Sequence, residues 1–159
     1  MKKKIAILGS TGSIGNTTLD IILKNKDSFQ IDLLSTNKNI HELKKQIKLF
    51  KVKNVIIHDL NIFNKYKLIL KETNVNVFKN VKDFKKKYKK KLDYVMCSIT
   101  GLDGLEPTLD IIRKTKRIAI ANKESIICGW NLISKQLRKN NTKFIPIDSE
   151  HFSIFELIK

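Results

Sequence analysis

Cysteine, proline, arginine and long apolar runs are all scarce in this chain of 159 residues. Two cysteines, Cys97 and Cys128, are too few for a disulfide framework and lack zinc-type spacing. Set among apolar neighbours, both are expected to be buried thiols. Of 32 basic residues only Arg113, Arg117 and Arg138 are arginine, and the rest are lysine. A net charge of +17 invites a nucleic-acid hypothesis, because a basic surface releases counterions from a phosphate backbone. Arginine, however, is the residue whose flat fork reads guanine and clamps phosphate with two bonds. The densest run, "DFKKKYKKK" from Asp83 to Lys91, has only Phe84 and Tyr88 as aromatics, so a solvated helix face and no nucleic-acid partner are expected. No run approaches the roughly 18 apolar residues of a membrane span, and the N-terminus lacks a signal-peptide pattern. A soluble, cytoplasmic protein with no membrane partner is expected.

What is present fits one domain with one sizeable core, at 42% hydrophobic residues. Short β-rich runs alternate with helical patterns. The strands expected are Lys4–Leu8, Phe29–Leu34, Asn54–His58, Val75–Phe78, Tyr94–Ile99, Arg117–Ala121 and Lys143–Ile147. Between them apolar residues recur at helical spacing, as in Leu43, Ile47 and Phe50, or Ile126, Ile133 and Leu137. Successive parallel strands need crossover connections, and right-handed crossovers wind helices onto both faces of the sheet. The fold class is therefore α/β, a Rossmann-like doubly wound, mostly parallel sheet. Pro146 cannot donate to a ladder, so the last run is an edge strand or carries its proline at an unpaired position. The domain is expected to run over 1–147, with 148–159 beginning something else.

The six glycines are concentrated, and three stand three apart in "GSTGSIG": Gly9, Gly12 and Gly15. A strand ending at Leu8 and a helix beginning near Ser13 put free N–H groups and the positive helix end beside this turn, which suits a pyrophosphate. Gly9 allows the tight turn, Gly12 close backbone approach to a ligand, and Gly15 close packing of the first helix turn. The hydroxyls of Ser10, Thr11 and Ser13 could add bonds to phosphate oxygens. G-x-x-G-x-x-G is not the commonest dinucleotide spacing, and a purely structural turn is the alternative. At the end of the second strand, "IDLLSTNKN" has Asp32 within the strand and no carboxylate from Ser35 to Asn39. With Lys38 there, a 2′-phosphate is welcome and NADPH is favoured over NADH, unless the tip is only a polar helix cap.

Three later segments carry more polar groups than a fold requires. "ITGLDGLEP" is a glycine-spaced turn with Pro107 suited to a first helical turn. "ANKES" ends an apolar strand with Asn122, Lys123, Glu124 and Ser125, where open α/β sheets bind ligands or where an asparagine caps a helix. In "PIDSEH", Asp148 and Glu150 are two apart, so in an extended segment both carboxylates project to one side and could hold Mg²⁺ or Mn²⁺; a helix cap is the alternative.

Taken in order, "GSTGSIG", "TNKN", "ITGLDGLEPTL", "ANKES" and "PIDSEHFSIF" closely resemble the 1-deoxy-D-xylulose 5-phosphate reductoisomerase family over essentially the whole chain. The resemblance implies an NADPH-binding N-terminal domain. It also implies a metal-dependent enzyme that rearranges and reduces its sugar phosphate to 2-C-methyl-D-erythritol 4-phosphate in non-mevalonate isoprenoid biosynthesis. Carried over by motif, Thr11, Gly12, Ser13 and Ile14 contact NADPH, with Asn37, Lys38 and Asn39 at the tip and Asn122 and Glu124 in "ANKES". Lys123, Ser149 and Glu150 touch substrate, Lys123 and Glu150 being catalytic, and Asp148 and Glu150 ligate Mg²⁺ or Mn²⁺. Asn37 stands where many members have glycine. The resemblance further implies a homodimer for the complete enzyme and a catalytic domain after "DSEH", so a partial chain, inactive alone, is expected.

Overall fold

The computed structural model describes residues 1–147, and these described residues form seven strands and six α-helices. The seven strands are β1 (Lys3–Leu8), β2 (Phe29–Thr36), β3 (Asn54–Ile57), β4 (Asn76–Phe78), β5 (Tyr94–Cys97), β6 (Arg117–Ile120) and β7 (Lys143–Ile145). The six α-helices are α1 (Ser13–Lys24), α2 (Ile40–Phe50), α3 (Leu60–Glu72), α4 (Val81–Lys87), α5 (Leu105–Ile112) and α6 (Lys123–Asn140), with a 3₁₀ turn over Leu102–Gly104. Every pairing is parallel and the order is β4-β3-β2-β1-β5-β6-β7, so the sheet is parallel throughout and the expected fold class is the one found. β7 is an edge strand that stops at Ile145, which leaves Pro146 outside the ladder.

A parallel sheet must be covered on both faces, and the alternating side chains of its central strands enter two separate cores. Ile5, Ile7, Ile31, Leu34, Val55 and Ile57 meet Leu19, Ile22, Leu43 and Leu70 of α1, α2 and α3. Ala6, Leu8, Leu33, Ile56 and Val95 meet Val81, Phe84, Ile111, Ile112 and Ile133 of α4, α5 and α6. Each fully buried leucine or isoleucine contributes about 1.5–3 kcal/mol against exposure. Asp32 is accommodated in this apolar surroundings by a register shift: Ile5 pairs with Ile31 and Ala6 with Leu33, so Asp32 is the extra residue between them. Its carboxylate accepts a 2.6 Å bond from the Tyr88 hydroxyl, and burial, reinforced by that carboxylate, pushes the Tyr88 phenol above its ordinary range.

Two sequence expectations are corrected. Cys97 is buried, its thiol pushed up to about 12 by desolvation, but Cys128 is exposed. Cys128 has apolar neighbours in sequence, yet α6 turns Ser125, Gly129, Ile133 and Leu137 inward and leaves Cys128 with Ile127 outside. The lysine run is helical only as far as Lys87, because α4 ends there and Tyr88 turns to an extended conformation to stack on Phe84. No helix among the described residues is long and apolar enough to cross a membrane.

Candidate functional site

The order in which strands are added reverses between β1 and β5, and ligands of open α/β sheets bind at the carboxyl ends of the strands at such a point. A cleft of about 700 Å³ lies there, floored by Gly9 and Gly12 after β1, Thr36 and Asn37 at the end of β2, His58 after β3 and Ser98 after β5. α5 and the 3₁₀ turn contribute Asp103, Glu106 and Asp110 to its far wall.

The glycine turn is built tightly. Gly9 has φ +84°, and a Cβ there would stand 2.7 Å from the Ser98 carbonyl oxygen. A Cβ on Gly15 would fall on the backbone of Gly9 and Ser10, so this glycine closes the helix onto its own loop. Gly12 differs: its φ is −84°, and a Cβ would meet only the Gly9 oxygen, at 3.5 Å. The space above Gly12 opens onto the cleft. α1 also has no side-chain cap, whereas α2, α3, α4 and α6 are capped by Asn39, Asp59, Asn80 and Asn122. Its first-turn N–H groups and positive end therefore face a space that can take an anionic group.

The hydroxyls divide. Ser10, expected to face a phosphate, is instead fully buried; its hydroxyl donates to Gln46 Oε1 at 2.7 Å. The turn follows Gly9 directly, and the tight φ of that glycine swings the next side chain under the loop. Thr11 remains at the cleft, its hydroxyl 2.8 Å from that of Thr36, and Ser13 is exposed. The turn is tied to β2 by Gly9 N–H donating to the Ser35 hydroxyl and Ser10 N–H to the Ser35 carbonyl, both at 2.9 Å.

Asn37 lines the cleft, and Lys38 stands beside it, exposed. Asn39 spends its side-chain oxygen on Glu42 N–H at 3.1 Å as the cap of α2. The tip is not free of acid in space: Asp59, at the neighbouring end of β3, lies 3.7 Å from Lys38 Nζ. Parallel strands end side by side, which a reading along the sequence of the tip misses. Asn122 is buried, donates its amide to the carbonyls of Ile99 and Gly101, and accepts from Ser125 N–H at 2.7 Å. It joins the end of β6 to the turn after β5. Lys123 and Glu124 are exposed in the first turn of α6, and neither lines the cleft. Asp148, Ser149 and Glu150 lie outside the described residues, and among the described residues no group of acids, histidines and cysteines could hold a metal ion.

His58 and the acids of α5 were not among the sequence candidates. His58 follows directly on an apolar strand, and strand-end position was the signal that marked it. Its Nε2 is buried with no partner among the described residues, and burial holds the imidazole below its usual range, with the Asp103 carboxylate opposing. Glu106 and Asp110 are held by Lys82 and Lys85 of α4, Lys85 at 2.6 Å, so these two acids of the far wall are paired rather than bare.

The sequence model of the 1-deoxy-D-xylulose 5-phosphate reductoisomerase family matches residues 5–129. The chain belongs to this family. Among reductoisomerases, that of Pelagibacter ubique is 58% identical over 98% of this chain and 41% of its own length, and one from Wolbachia of Culex pipiens is 40% identical over 99% and 40%. The solved reductoisomerase of Zymomonas mobilis in complex with NADPH is 35% identical and superposes with a TM-score of 0.87 over 98% of this chain and 41% of its own. A further reductoisomerase, in complex with NADPH, fosmidomycin and magnesium, is 28% identical with a TM-score of 0.84 over 94% of this chain and 37% of its own. The chain thus spans about two fifths of the reductoisomerases it matches.

Proposed function

We propose that this chain is the NADPH-binding domain of a reductoisomerase that converts 1-deoxy-D-xylulose 5-phosphate to 2-C-methyl-D-erythritol 4-phosphate in the cytoplasm, on the route to isoprenoids. The observation that carries the cofactor assignment is the uncapped start of α1 beneath a glycine with open space above it, beside a strand tip bearing Lys38. The NADPH held by the Zymomonas mobilis relative supports the same choice. Family membership supports the reaction.

In this reading the N–H groups of Ser13 and Ile14 receive the pyrophosphate, with Thr11 and Gly12 at its edge. Asn37, Lys38 and Asn39 surround the 2′-phosphate, where Lys38 offsets charge. Asn122 holds the turn at Gly101 in place, and Glu124 approaches the cofactor from α6. NADPH supplies the hydride when bound. Lys123 orients the sugar phosphate by its charge, and Ser149 and Glu150 contact it. Asp148 and Glu150 are the proposed ligands of Mg²⁺ or Mn²⁺, a choice supported by the relatives solved with magnesium. The domain extends over 1–147, and the complete enzyme is a homodimer.

Because the chain spans two fifths of its relatives, binding and turnover are measured separately. Titration of the 159-residue chain with NADPH is expected to show saturable binding stronger than that of NADH. Conversion of 1-deoxy-D-xylulose 5-phosphate is expected only when the chain is joined to the remaining length of a relative. Equal affinity for both cofactors would refute the cofactor assignment; robust turnover by the chain alone would refute the division of labour.

A further inference from the structure

Gln46 is 3% exposed in the middle of α2, on the face that also buries Leu43, and does not line the cleft. A buried amide is costly unless it is fully hydrogen-bonded, and this one is. Its Oε1 accepts the Ser10 hydroxyl at 2.7 Å, and its Nε2 donates to the Ser10 carbonyl at 3.0 Å and to Asn16 Oδ1 at 2.9 Å. Asn16 in turn donates to the Thr11 carbonyl at 3.4 Å. All of these bonds converge on the glycine turn and the first turns of α1, 30 or more residues away in sequence.

The bond to the Ser10 carbonyl has a directional consequence. In a trans peptide the carbonyl and the following N–H point in opposite directions. A Ser10 carbonyl drawn inward to Gln46 turns the Thr11 N–H away from α2, and Thr11 lines the cleft. We propose that Gln46 is a positioning residue for cofactor binding: it sets the Ser10–Thr11 peptide plane, so affinity for a pyrophosphate depends on a side chain that the pyrophosphate does not touch. The inference rests on the NADPH assignment made above. Every polar partner of Gln46 belongs to the turn or to the start of α1, so the turn accounts for an amide at this buried position.

The test uses Gln46→Met, which keeps length and loses every hydrogen bond, and Gln46→Glu, which keeps an acceptor for Ser10 and loses both donors. Two ligands are titrated calorimetrically into each variant: NADPH, and adenosine 2′-monophosphate, which carries the group for the β2 tip but no pyrophosphate. Both variants are expected to weaken NADPH roughly ten-fold or more while changing adenosine 2′-monophosphate by less than about two-fold, the scale of one lost hydrogen bond acting on one ligand only. A general folding defect would weaken both ligands alike and overturn the proposal, as would NADPH affinity equal to that of the unaltered chain. Failure of the unaltered chain to bind NADPH would overturn the cofactor assignment itself, whereas normal binding with no split between the ligands would overturn only the role of Gln46.

Discussion

Gly12 has an ordinary φ of −84° and open space where a Cβ would go, so a side chain there costs the fold little and the ligand everything. Gly12→Val is expected to lower NADPH affinity at least about 100-fold, with the melting temperature within roughly 4 °C of the unaltered chain; titration and differential scanning calorimetry check the two halves. Lys38 is shared between a prospective phosphate and Asp59 at 3.7 Å. Asp59→Asn removes the competing charge and keeps a good cap for α3, because the Ile62 N–H bond can be made by an amide oxygen. It should raise the NADPH-to-NADH affinity ratio about two- to five-fold, the scale of a surface ion pair, and Lys38→Glu should abolish the preference. His58 titrates in the opposite sense from a paired histidine. Burial lowers its pKa from 6.5, so below that pH the unfolded chain takes up a proton that the folded one resists. The contribution of His58 is fully present above about pH 6.5 and declines as pH falls toward its folded value. Urea midpoints followed downward from neutral pH should fall less steeply in His58→Asn than in the unaltered chain.

At the scale of elements, Asn122 shows how one side chain fastens two of them. Its oxygen caps α6, and its amide spans to the carbonyls of Ile99 and Gly101, beside Gly104, which has no room for a Cβ next to that amide. Asn122→Ala loses the cap and leaves two carbonyls short of a donor; it should lower stability by about 2–4 kcal/mol in urea unfolding and loosen the turn after β5. Strands were legible in the sequence because β-branched apolar runs such as Asn54–Ile57 stand between clear turn residues. Their ends were less so: β2 runs on through Ser35 and Thr36, polar residues that look like a loop but are fully or almost fully buried and pair with Ile56 and Ile57. The glycine turn was legible because glycine reports a backbone need directly. The direction of the Ser10 hydroxyl, the approach of Asp59 to Lys38 and the role of Gln46 were not, since each depends on which strand or helix lies alongside, and that is settled by crossovers rather than by local spacing.

For the whole molecule, a ligand that binds the folded state alone stabilises it by mass action. NADPH at about 100 times its dissociation constant should add about 2.7 kcal/mol and raise the melting temperature by roughly 5–11 °C, and the rise should vanish in Gly12→Val. The surface lysines do not share in this: their charge is screened within about 8 Å at physiological salt, and added salt should change the melting temperature only gradually.

β1 is made before the other strands of its sheet and is the middle strand of the order, with β2 on one side and β5 on the other. Its partner in β5 begins at Tyr94, so during synthesis β1 through β4 can pair while the other edge of β1 stays bare for the time it takes to make β5. At about 5–20 residues per second, the stretch from Phe78 to Cys97 occupies one to a few seconds. Over that interval the backbone edge of β1 from Ile5 to Leu8 has no partner strand, and pairing with a second nascent chain would begin there.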